Sequence, residues 1–139
     1  MIRAVFDTNV LVAALKSRAV ASFRVLELVV EGRLQPAVTT PLVLEYESVL
    51  TRSGLLPPTL SPSDISRFLD WFTHVASRHR VHFLWRPQLP DPNDDLVLET
   101  ALAANCPYLI TFNIRDFHGA ADLGVVALTP KQFLNHLQP

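Results

Sequence analysis

The sequence predicts an α/β fold of three layers, a central, mostly parallel sheet with helices on both faces. Short apolar runs alternate with segments of helical periodicity along the whole chain. Several helices start at a hydroxyl or acidic residue followed by proline, as at Thr40-Pro41, Ser61-Pro62, Asp91-Pro92 and Thr129-Pro130. Acidic residues collect just after the apolar runs, where parallel sheets carry their sites.

Ile2 to Phe6 is an apolar run ending at Asp7 and reads as a buried strand. Val10 to Leu15 and Val20 to Glu31 read as helices, the second stopped by Gly32. Leu34 to Val38 is the next strand. Thr40 is expected to cap the helix that follows, with Pro41 in its first turn. Ser61-Pro62-Ser63-Asp64 has the spacing of a capping box, and its helix runs to about Ser77 with Ile65, Phe68, Leu69, Phe72, Val75 and Ala76 in phase. Val81 to Trp85 reads as a strand, and Asp91 opens a helix running to Asn105. Tyr108 to Thr111 and Gly124 to Leu128 are the last strands, and Thr129 caps a closing helix through Leu137. Leu55 to Pro58 is a stiff loop, so residues 1–139 read as one domain.

Composition narrows the class. The chain of 139 residues is 49% hydrophobic and 18% charged, which suits a folded globular protein. One cysteine, Cys106, excludes an internal disulfide and fits a cytoplasmic setting, and no secretory signal is visible. A net charge of -1 argues against a surface built throughout to grip nucleic acid. The densest basic run, Arg78 to Arg86, reads first as a solvated helix end and strand, with a phosphate-contacting edge as the alternative.

The chemistry lies in the acids. Asp7 ends the first strand, Asn113 and Asp116 follow the fourth, and Asp91, Asp94 and Asp95 crowd a helix start. Glu45 lies on the side of its helix that carries Leu42 and Val49, whereas Glu47 faces solvent. Each acid has a plainer reading. Asp7 could serve only a turn, Glu45 could pair with Arg3 or Arg24, and Asp91 and Asp94 suit helix capping. Phase does not separate Asp94 from Asp95, and Asp95 repels Glu99 four residues on unless a positive charge intervenes. Converging carboxylates want hard cations, Mg²⁺ or Mn²⁺, which neutralise phosphate and assist hydrolysis. The chain has four glycines and no phosphate-cradling loop, no zinc spacing among its five histidines, and no serine-hydrolase elbow. His118, near Asp116, reads as an ordinary surface histidine.

These residues resemble a known family. Val5-Phe6-Asp7-Thr8-Asn9-Val10-Leu11 is similar to the opening of PIN domains. Asp91-Pro92-Asn93-Asp94-Asp95-Leu96-Val97-Leu98-Glu99-Thr100-Ala101 resembles their D-P-x-D-D helix start, and Tyr108-Leu109-Ile110-Thr111-Phe112-Asn113-Ile114-Arg115-Asp116-Phe117 their final strand and acidic loop. Leu128-Thr129-Pro130-Lys131-Gln132-Phe133-Leu134 is similar to a branch labelled as toxin components of toxin–antitoxin pairs, the VapC-like ribonucleases. The resemblance covers nearly the whole chain. It implies a five-stranded parallel sheet, Mg²⁺- or Mn²⁺-dependent endoribonuclease activity, homodimers, RNA as substrate and an antitoxin protein as partner. Carried over residue by residue, it implies Asp7, Glu45, Asp95 and Asp116 as catalytic metal ligands. Asp95 is preferred to Asp94 because it stands three residues before Leu98. Many members carry an acid where this chain has Asn113, so Asn113 becomes a helper beside Thr8, Asn9 and Thr111. Two other readings stand beside this one. A haloacid-dehalogenase-type phosphatase wants an aspartate where Asn9 stands. A catalytically idle PIN-like domain would only bind RNA or a partner protein.

Overall fold

A computed structural model describes residues 1–81 and 92–137, with the side chains of Pro92 and Asn93 left aside. Its strands are β1 (Ile2–Phe6), β2 (Leu34–Val38), β3 (Ser77–Arg78), β4 (Tyr108–Ile110) and β5 (Val126–Leu128). Its helices are α1 (Thr8–Lys16), α2 (Ala21–Val30), α3 (Thr40–Leu50), α4 (Pro62–Val75), α5 (Pro92–Ala103) and α6 (Pro130–Leu137). Two 3-10 turns, Ile114–Phe117 and Ala120–Leu123, link β4 to β5.

The strands form one five-stranded sheet in the order β3-β2-β1-β4-β5, every pairing parallel. Ala4, Val5 and Phe6 are at most 1% exposed although alternate residues point to opposite faces. Both faces of the central strand are therefore covered, as parallel sheets require. α1 and α6 pack on α2, whereas α5 packs on α3, β1 and β4. The α4 ring of Phe72 meets Phe6 and Tyr46 edge to face at 5.4 and 5.8 Å, locking α3 and α4 onto β1.

Most expected elements stand where the periodicity put them. Gly32 ends α2 at φ +74, a left-handed turn in which Arg33 N–H reaches back to the Leu28 carbonyl at 2.9 Å. At the start of α4 the capping box closes both ways, Asp64 N–H donating to Ser61 Oγ and Ser61 N–H to Asp64 Oδ2. Thr129 and Gln132 exchange the same pair of bonds before α6. Three details differ. The cap of α3 is Thr39, not Thr40, and Thr39 spends its hydroxyl on Thr100 rather than on the helix. α5 ends at Ala103, two residues early, because Asn105 turns left-handed at φ +50. The third strand is the short pair Ser77–Arg78, where the helix was expected to finish; the strand expected over Val81–Trp85 lies, beyond Val81, outside the described residues.

Replacing Ser61 by Ala removes one arm of the capping box, so urea unfolding should show a loss of about 1 kcal/mol. The substitution is far from the acids in sequence and should leave any activity unchanged.

Candidate active site

Asp7 follows β1 directly and is 8% exposed. It occupies the position before α1 but makes no side-chain cap to that helix. Its carboxylate instead accepts the hydroxyl of Thr111 at 2.7 Å, across the gap between β1 and β4. Thr111 Oγ1 accepts in turn from the backbone N–H of Asn113 at 3.0 Å. An amide on its lone pair turns the hydroxyl proton toward Asp7, so the two bonds act in series. The backbone N–H of Asp7 donates to Ile110 O at 2.9 Å, continuing the ladder past the strand end. Asp7 thus closes a local turn through its carbonyl, which accepts Val10 N–H at 3.0 Å, and also bonds across the strands through its carboxylate.

Four elements meet around this point. Tyr46 on α3 donates its hydroxyl to the carbonyl of Phe6, one residue before Asp7. Complete burial, and then the negative charge of Asp7, push the Tyr46 phenol well above its ordinary 10.0. Glu45 is the preceding residue, half-buried beside this anchor. Its alternative partners are engaged elsewhere: Arg3 donates to Ala104 O at 3.0 Å and Arg24 to Glu31 at 3.0 Å. On α5, Asp94, Asp95 and Glu99 are 7%, 3% and 3% exposed. The buried hydroxyl pair Thr39–Thr100, 2.8 Å apart, ties the start of α3 to α5 next to Glu99.

The remaining expected residues spread outward. Asn9 is half-buried and accepts the backbone N–H of Phe112 at 3.5 Å. Thr8 is buried as the first residue of α1, and among the described residues its hydroxyl makes no hydrogen bond. Asn113 acts through its backbone while its side chain is exposed. Asp116 is exposed on the 3-10 turn, which Phe117 anchors in the core. His118 is exposed too, its Nδ1 2.9 Å from the Arg115 carbonyl. Asp91 lies outside the described residues, as does the basic run beyond Val81. Among the described residues, no three of His, Cys, Asp and Glu come close enough to hold a metal ion between them.

Tyr46, Thr100 and the burial of Glu99 were not picked out from sequence. Tyr46 lies in the apolar phase of α3, where its hydroxyl is hidden in the pattern. Glu99 carried a signal in its spacing from Asp95, which had been read as repulsion.

Acid-bearing elements meet at the carboxyl edge of a parallel sheet, the place where open α/β sheets bind their ligands. The PIN domain family model matches residues 3–115. The chain belongs to the PIN domain family. That match takes in Asp7, Glu45, Asp94, Asp95, Glu99 and Asn113, and stops one residue short of Asp116. The fold is similar to the crystal structure of VapBC2 from Rickettsia felis bound to a DNA fragment from their promoter. There the TM-score is 0.61 and the identity 18%, covering 92% of this chain and 98% of that one. It is also similar to VapBC-1 from nontypeable Haemophilus influenzae, with TM-score 0.61, 15% identity, and 94% and 99% covered. No curated protein matches the sequence.

Tyr46→Phe would leave the buried Phe6 carbonyl without its donor, and chemical denaturation should show about 1–3 kcal/mol of lost stability. The pH dependence follows from the sign of the shift. Folding favours the neutral phenol, so its contribution is complete below pH 10.0, the ordinary tyrosine value, and declines as pH rises beyond it. The stability gap between Tyr46→Phe and the parent should therefore narrow above that pH.

Proposed function

We propose that this chain is a divalent-metal-dependent endoribonuclease that hydrolyses RNA phosphodiester bonds, and that it is the toxin component of a toxin–antitoxin pair. Asp7, Glu45, Asp95 and Asp116 are its candidate catalytic metal ligands, with Thr8, Asn9, Thr111 and Asn113 supporting them. The observation that carries the reading is the burial of Asp7 at the end of the central strand, with Thr111 bound to it and acid-bearing α5 packed on that strand.

The donor chemistry fits Mg²⁺ or Mn²⁺, since every candidate is a carboxylate and the adjoining groups are hydroxyls and amides. A divalent ion supplies charge neutralisation where phosphate negative charge develops. The chain's own groups supply orientation. Thr111 fixes one oxygen of Asp7, and Tyr46, protonated across the neutral range, holds the backbone ahead of it. Asp94 and Glu99 are buried too and stand beside Asp95 as further acids of the same helix.

The toxin role is supported by family membership and by structural likeness to proteins named as VapBC complexes. By the same analogy we infer an antitoxin partner, a homodimer and a cytoplasmic setting. Among the described residues no helix is long and apolar enough to cross a membrane. An idle PIN-like domain that only binds RNA or a partner is the second reading. It is favoured by the exposure of Asp116, outside the family match, and by Asn113 in a slot where many members are acidic.

Purified chain incubated with total RNA should cleave it with Mn²⁺ and not in saturating EDTA, and Asp7→Asn should abolish the cutting while circular dichroism stays native. Calorimetric titration with Mn²⁺ should show binding that is lost in Glu45→Gln. A chain that neither binds Mn²⁺ nor cuts RNA is the idle domain.

A further inference from the structure

β3 is the outer strand of the described sheet and pairs with β2 at two positions, Ala37 with Ser77 and Val38 with Arg78. One further bond extends it, the His79 N–H donating to Val38 O at 2.9 Å. The His79 ring turns back along the strand. Its Nε2 lies 2.9 Å from Ser77 Oγ and 3.4 Å from Nη1 of Arg3, which belongs to β1 beyond β2. Nη2 of the same guanidinium donates to Ala104 O at 3.0 Å, just past the end of α5. Arg3 therefore joins the sheet edge to the end of the helix that carries Asp94, Asp95 and Glu99. A guanidinium can only donate, so Nε2 meets it with its lone pair and the ring proton is assigned to Nδ1.

We propose that Arg3 and His79 form an acid-sensitive latch: the neutral imidazole ties β3 to Arg3, and its protonation releases the strand. A proton on Nε2 removes the acceptor and sets a second cation 3.4 Å from the guanidinium. Ser77 Oγ can take that proton, which leaves the ring bonded only within its own segment. The surroundings supply no negative charge. Arg78 and Arg80 flank His79 and are exposed, as is His74 in the last turn of α4. Gln35 and Thr39 are neutral and committed to Val75 O and Thr100. Burial pushes the Cys106 thiol up, so beside Arg3 it carries no charge in the neutral range. Among the described residues no carboxylate forms an ion pair with Arg3 or His79. Burial, and then the charge of Arg3, hold the imidazole below its ordinary 6.5. The latch thus contributes fully above pH 6.5 and is lost as pH falls through the lowered value. Arg78 and His79 also wall a cavity of about 260 Å³ with Val38, Val43 and Leu44, so releasing β3 opens it.

The test is amide hydrogen exchange and imidazole titration by NMR on the full labelled chain, from about pH 7.5 to about pH 5.5. Protection of the His79 amide, corrected for its intrinsic rate, should fall by up to about tenfold as pH drops. Protection at Ile65, whose amide donates to Ser61 O at 3.1 Å, should stay constant. His79→Gln keeps an acceptor for Arg3 and cannot titrate, so exchange at residue 79 should then be independent of pH. Arg3→Gln should raise the His79 titration midpoint toward 6.5. Equal pH dependence in His79→Gln and its parent overturns the latch. So does a His79 midpoint of 6.5 with Arg3 in place. Loss of protection at Ile65 in step with residue 79 marks global unfolding and overturns it as well.

Discussion

A carboxylate placed at the end of a fully buried central strand has to be held by donors, and that constraint organises the neighbourhood of Asp7. Thr111 supplies the hydroxyl, and the amide of Asn113 sets the direction of its proton. The parallel register of β1 and β4, with Phe6 opposite Ile110, brings the two strand ends level so that this bond can form. Tyr46 then fastens α3 to the carbonyl of Phe6, and the Phe72 ring packs against both. A one-residue slip of β4 would reverse the faces its side chains point to and move Thr111 away from Asp7.

The same packing explains why α5 has acids where a surface helix would have water. Asp94, Asp95, Val97, Leu98, Glu99, Thr100 and Ala101 are all buried, which takes in most of the helix circumference. A helix surrounded by protein shows no polar face to solvent, and its carboxylates need compensation from charges, donors or an ion. The Thr100 hydroxyl donates to the Leu96 carbonyl and accepts from Thr39, so the side chain at the cap of α3 is committed to α5. Helix capping has given way to tertiary bonding.

Legibility from sequence followed the same physics. β1 and α4 were read with ease because one is a continuous apolar run and the other has a clean apolar stripe with a capping box. β3 went unmarked because Ser77 and Arg78 are two polar residues at the edge of the described sheet, with no hydrophobic pattern to mark them. The start of α3 was off by one because Thr39 and Thr40 are equally able to cap and Pro41 fits either frame. Asp7 and Asp95 were picked out as acids, and both are buried. The hydroxyl of Tyr46 was invisible because its position in α3 is an apolar one, and only the distance to Phe6 gives it a role. Asp94 looks like a capping acid because first-turn acids usually are, and the structure adds that it is buried.

The gradient of exposure across these residues also gives the proposed site a direction. Asp7, Asp94, Asp95 and Glu99 form its buried part, Glu45 and Asn9 are half-buried, and Phe112, Asn113, Arg115 and Asp116 face solvent. Buried carboxylates act in a low-dielectric setting where their field on a cation is strong and their geometry is held by packing. Groups at the exposed rim contribute little to the fold, and solvent screens their charges. Their value lies in what they meet from outside. A polyanion arriving at an acidic site is repelled unless positive charge meets it, and among the described residues the turn after β4 carries one exposed cation, Arg115. The division follows from burial alone: the interior fixes the carboxylates, and the turn after β4 lies open to solvent.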